Sequence, residues 1–134
     1  MMDNPGKMAR LGLLYAAYFG SIAVIFPFLP IYLKLRGFSP SRIGLILAAI
    51  EAAAVIAPFI LSRLADRSSR YRSVMAFMVL MSSAALFLLD RSSVFAAVIL
   101  FALLYGFFFK PLAGMADARS GRVLSDSSSN YGKV

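Results

Sequence analysis

Cysteine and histidine are both absent from the 134 residues. Their absence removes disulfides, thiol chemistry and Cys/His metal sites. A Ser-His-Asp triad is excluded with them. Acidic residues are scarce, six against fourteen Lys and Arg, too few to favour a carboxylate metal cluster. Charged residues make up only 15% of the chain and fall in short blocks. Hydrophobic residues make up 60%, and the mean hydropathy is +0.80. A soluble domain of this size needs more polar surface than that. The pattern is that of an all-α polytopic membrane protein whose first partner is the lipid bilayer. It gives no support to enzyme activity and calls for no cofactor.

The net charge of +8 raises nucleic acid as a partner. No basic face is free of apolar helix, so we expect none. The basic residues fit loops that meet anionic headgroups instead. Lys7 and Arg10 precede an uncharged run, Leu11–Leu33, of 23 residues. Secretory signals have apolar regions of about 7–15 residues, so this run is expected to be an uncleaved first span.

Four spans are expected, at about 11–33, 43–61, 73–89 and 94–118, within a membrane region covering 1–118. Residues 119–134 form a polar, Ser-rich tail. Pro27 and Pro30 lie inside span 1, where each lacks an N–H and crowds the carbonyl four residues back. In lipid, freed carbonyls find a protein neighbour or a wet cavity. A pathway-lining helix and a bent structural helix both fit. Gly37 can supply a left-handed break, and Ser39-Pro40 reads as an N-cap followed by proline at the first helical position. Span 2 carries Ala48, Ala49, Ala52, Ala53 and Ala54, which permit close helix approach. Pro58 bends its end. Asp90-Arg91-Ser92-Ser93 reads as a tight turn.

Two places carry ionisable groups at membrane depth. Glu51 lies near the middle of span 2, where a charge costs about 2.5–3.5 kcal/mol on insertion scales. Such residues face a cavity or a partner, and a carboxyl in low dielectric favours its neutral form, as a proton carrier does. The alternative is a hydrogen-bonded acid that only packs helices. Lys110 and Asp117 are seven apart, which puts them on one helical face about 10 Å apart. Either they form one wall of a polar cavity, or span 4 ends near Phe109 and both are interfacial. Tyr15, Tyr18 and Ser21 can add hydrogen bonds from span 1.

Ten of the fourteen basic residues lie at the two termini and in the central break, and four in the two turns opposite. That bias predicts both termini and the break on the cytoplasmic side.

The central break, Ser62-Arg63-Leu64-Ala65-Asp66-Arg67-Ser68-Ser69-Arg70-Tyr71-Arg72, resembles the major facilitator superfamily signature G-x-L-A-D-R-x-G-R-[RK] between helices 2 and 3. Leu64, Ala65, Asp66, Arg67 and Arg70 match; Ser62 and Ser69 stand where glycine is usual, and Tyr71 replaces a basic residue. Phe26-Pro27-Phe28-Leu29-Pro30-Ile31-Tyr32-Leu33, followed by Gly37-Phe38-Ser39 and Ile43-Gly44-Leu45, is similar to the first helix and loop of the lactose permease-like and phenylpropionate–nucleoside permease-like branch. Asn130-Tyr131-Gly132-Lys133 is similar to the segment leading into helix 5 there. Counted back from Tyr131-Gly132, Asp117 falls where the branch has an acidic sugar-contacting residue on helix 4.

The resemblance implies a proton symporter of a small organic solute in the plasma (bacterial inner) membrane, with twelve helices in two halves and alternating access. It implies that Asp66, Arg67 and Arg70 belong to a cytoplasmic latch. The four spans then correspond to the start of the N-terminal half, and the chain alone is expected to be inactive without a C-terminal half. Two other readings fit these residues: a complete four-helix antiporter of small multidrug-resistance type, and a non-transporting scaffold. The first resembles this chain in length, but carries its acid in helix 1, whereas Glu51 is in helix 2.

Overall fold

The computed structural model describes residues 5–68, 71–115 and 117. Among the described residues four helices follow one another: α1 (Pro5–Leu35), α2 (Pro40–Ser68), α3 (Tyr71–Arg91) and α4 (Phe95–Phe109). No strand occurs among the described residues, in agreement with the expected all-α class. The stretches able to cross a membrane are Gly12–Leu35, Pro40–Leu61, Arg72–Arg91 and Phe95–Met115, with 24, 22, 20 and 21 residues. At about 1.5 Å per residue, each matches a hydrocarbon core of about 30 Å.

The helices outrun the apolar spans. α2 continues through Arg63, Leu64 and Arg67 to Ser68, so most of the central break is helical. Those residues are good helix formers, and leaving the hydrocarbon does not oblige a helix to end. α3 likewise includes Asp90 and Arg91, which shortens the turn before α4 to residues 92–94. α1 runs through Pro27 and Pro30 as one helix. The Asp66 side chain, Arg70 and the tail 119–134 lie outside the described residues.

α1 ends in a Schellman motif. The Gly37 N–H donates to Lys34 O at 3.0 Å, and the Phe38 N–H donates to Leu33 O at 3.2 Å. This geometry needs a left-handed residue, and Gly37 has φ +84°. Buried Phe38 and Leu33 provide the apolar contact that accompanies the motif. The Ile43 N–H donates to Ser39 O at 3.0 Å, so α2 opens at Pro40 as its sequence predicts. Arg36 Nη1 donates to Leu89 O at 3.3 Å, to Asp90 O and to the Tyr32 hydroxyl, while Tyr32 donates to the Asp90 carboxylate. A cation at the C-terminal carbonyls of α3 complements that helix end and ties it to α1.

α4 lies between α2 and α3 and contributes Val98, Ala102, Tyr105, Gly106 and Phe109 to the core. Leu33, Ile46, Ile50, Met78 and Leu89 complete its most enclosed part. α1 is the least enclosed and meets α4 through side chains. Phe28, Val55, Phe59, Leu80 and Phe87 stand on the outer surface, where hydrocarbon is their solvent.

Candidate functional site

The closest helix approach sets the site. Gly106 on α4 faces the Ile50 backbone on α2: a Cβ added there would fall 2.9 Å from Ile50 Cα and nearer still to its oxygen. Only glycine permits that contact. Glu51 follows Ile50, eleven residues after Pro40 and ten before Leu61, at the middle of its span. Lys110 follows Gly106 by one turn. Helical side chains tilt toward the N-terminus, so its stem reaches back to the level of Glu51. Lys110 Nζ donates to Glu51 Oε1 at 2.7 Å. Pairing at this depth offsets the cost of both charges.

Lys110 has a second contact. Its ammonium lies 4.4 Å from the centroid of the Phe26 ring on α1. A cation over an aromatic face gains about 0.5–2 kcal/mol, more where water is excluded. The carboxylate comes from α2, the ring from α1 and the ammonium from α4's end, so three helices meet at one charge. Lys110 itself caps α4: it keeps αR angles, and its N–H donates to Gly106 O at 3.2 Å. Helix resumes over 111–115 beyond it. Pro111, having no N–H, leaves an interruption in the ladder there.

A polar seam continues from this pair along α1. The Tyr18 hydroxyl donates to Lys110 O at 3.4 Å. Tyr15 donates to the Asp117 carboxylate. Tyr18 stacks on Phe109 at 4.9 Å between centroids, and Tyr105 stacks on the same ring at 5.0 Å. Tyr105 is 1% exposed, and its hydroxyl has no hydrogen-bond partner among the described residues. Ser21 bonds to Ala17 O of its own helix at 2.7 Å and does not join the seam.

Beside the ion pair is a cavity of about 180 Å3. Ile25, Leu29, Leu47, Ala48 and Ile50 make its apolar wall. Phe26 and Glu51 complete it, and among the described residues Glu51 is its one charged lining residue. Drug-sized sites run to about 300–1,000 Å3. This one therefore suits a compact group such as a single ring. No group of three or more metal-ligating side chains occurs among the described residues.

The four residues singled out from the sequence, Glu51, Lys110, Asp117 and Tyr18, thus lie along one seam between α1, α2 and the end of span 4. Sequence spacing associated Lys110 with Asp117; the structure gives each its own partner, Glu51 and Tyr15. Gly106, Phe26 and Phe109 escaped the sequence reading. Gly106 carried a legible signal, a lone glycine in a bulky run opposite the alanines of α2. Nothing in the pattern distinguished Phe26 or Phe109 from the other phenylalanines.

Four helices among the described residues are long and apolar enough to span a membrane, which makes this an integral, multi-pass membrane protein. The chain belongs to the MFS_1 like family of the major facilitator superfamily, whose model matches residues 8–134. No curated protein and no solved structure matches it.

Proposed function

We propose that these helices form the start of the N-terminal half of a proton-coupled symporter for a small organic solute, working by alternating access. The observation that carries this reading is the Glu51–Lys110 pair at the centre of the spans with a cavity beside it. Ionisable residues at that depth mark substrate or proton paths, and the family's sites lie near the midplane. Glu51 or Asp117 exchanges the proton; Lys110 and Tyr18 line the solute path. Asp66, Arg67 and Arg70 act as a cytoplasmic latch against the other half. Exposed ion pairs are worth about 0–1 kcal/mol each, which suits contacts that break in every cycle. Both termini are cytoplasmic, in a plasma or bacterial inner membrane. The branch is the lactose permease-like and phenylpropionate–nucleoside permease-like one.

Reconstitution tests the reading. Vesicles holding the 134-residue chain and a trapped pH dye are expected to show no solute-driven proton entry. A chain that continues these helices into a two-half transporter is expected to couple uptake to proton entry. Glu51→Gln and Asp117→Asn in that longer chain are each made, and at least one is expected to abolish the proton flux. Uptake without proton movement would sink the coupling. Solute-driven proton flux by the 134 residues alone, lost in Glu51→Gln, would sink the view that they are only part of the path.

A further inference from the structure

We propose that Glu51 and Phe26 form a recognition site for a small amphiphilic monocation, and that Lys110 is a tethered occupant which the ligand displaces. The inference rests on the transporter reading and names the solute class.

Two of the cavity's walls recognise cations by different physics. The Glu51 carboxylate does so by charge, and the Phe26 ring does so by its quadrupole. They arrive from α2 and α1, and one ammonium already satisfies both: Lys110 Nζ is 2.7 Å from Glu51 Oε1 and 4.4 Å from the ring centroid. That ammonium reaches in from the far end of α4 on a flexible stem, and Lys110 does not line the cavity. The lysine head therefore shows where a ligand's ammonium would sit. The apolar wall of Ile25, Leu29, Leu47 and Ala48 lies next to it, sized for a single ring or a short aliphatic body.

Charge balance selects the ligand's sign. The Glu51 side chain is 54% exposed and that of Lys110 19%, so the acid is the more accessible partner. A monocation in the cavity replaces one ion pair by an equivalent one and leaves no bare carboxylate. An anion entering the cavity would meet the carboxylate on its wall. A neutral ligand would leave the pair in place and find no charged partner. With Glu51 given to the ligand, Asp117, held by Tyr15, is left to carry the proton.

The test is equilibrium dialysis of radiolabelled phenethylamine against the purified chain in nanodiscs. Phenylacetate and 2-phenylethanol serve as unlabelled anionic and neutral competitors. Circular dichroism checks each variant for helix. Wild-type protein is expected to bind the amine saturably, with neither competitor displacing it. Glu51→Gln is expected to weaken binding about tenfold or more, and Phe26→Leu about threefold or more. Lys110→Ala is expected to tighten it about tenfold, the gain when an open state populated at about 10% becomes the whole population. If Lys110→Ala does not fold, Lys110→Gln replaces it and is also expected to tighten binding. Unchanged or weaker binding in the folded Lys110 variant overturns the tethered occupant. Displacement by phenylacetate overturns the sign of the ligand. No saturable binding in wild type and Lys110 variant overturns the site itself. Uptake and proton flux are separate measurements, so that failure is distinct from failure of the transporter reading.

Discussion

Lys110 and Glu51 illustrate how a membrane changes the weight of a single contact. In water, an exposed pair contributes about 0–1 kcal/mol. At mid-span each charge alone is disfavoured by about 2.5–3.5 kcal/mol, so each residue makes the other tolerable. A double-mutant cycle between Glu51→Gln and Lys110→Met should give a coupling energy of about 0.5–3 kcal/mol. Reversible unfolding in mixed micelles measures it, and additive single effects would show that the two charges do not interact. Tyr105 presents the opposite case, a buried hydroxyl with no partner among the described residues. Tyr105→Phe keeps the stack on Phe109 and removes the orphan. It should raise stability by about 1 kcal/mol in the same unfolding assay, given a penalty of about 1–3 kcal/mol for an unmet buried group. A loss of stability would mean the hydroxyl is satisfied in the membrane.

Among elements, the α2–α4 contact places the chemistry. Gly106 lets the two backbones touch at Ile50, and that height fixes where Lys110, one turn on, can find Glu51. Gly106→Ala should destabilise the bundle by about 1–3 kcal/mol, because the new Cβ meets backbone that cannot rotate away. Gly44→Ala on α2 is the matched control. Its Cβ meets nothing within 4 Å, so helix propensity should make it neutral or stabilising by up to about 1 kcal/mol. Equal effects at the two positions would show that close approach is not what Gly106 provides. The helix ends were less legible in the sequence than the spans. The charges of Arg63 and Arg67 mark where hydrocarbon ends, and α2 nevertheless continues to Ser68. Polarity reports the membrane boundary, whereas the backbone ladder reports the helix end.

For the whole molecule, the proposed orientation rests on charge bias across the spans. A periplasmic reporter such as alkaline phosphatase should be active when fused at Ser93, between α3 and α4, and inactive when fused at Arg72, in the first turn of α3. The reverse pattern would invert the proposed topology and put the Tyr15–Asp117 end of the seam on the outer side. The lightly enclosed α1 also belongs to this scale. It carries Phe26, Tyr18 and Tyr15 to the seam, but much of its apolar surface faces outward. Such a surface is stable in lipid, where leaving Phe19 or Phe28 exposed has no hydrophobic penalty.

Composition and spacing by themselves determined the class: apolar runs of about twenty residues form membrane helices, because hydrocarbon leaves backbone groups no other partners. They also singled out Glu51, Lys110, Asp117 and Tyr18, because ionisable and polar groups stand out against an apolar chain. Only the tertiary structure decided that Lys110 meets Glu51, that Asp117 meets Tyr15, and that Phe26 lies beneath the ammonium. The physical reason is that periodicity ranks residues along one helix, whereas partners across helices depend on which backbones approach and at what height. Here a single glycine against Ile50 decided that height.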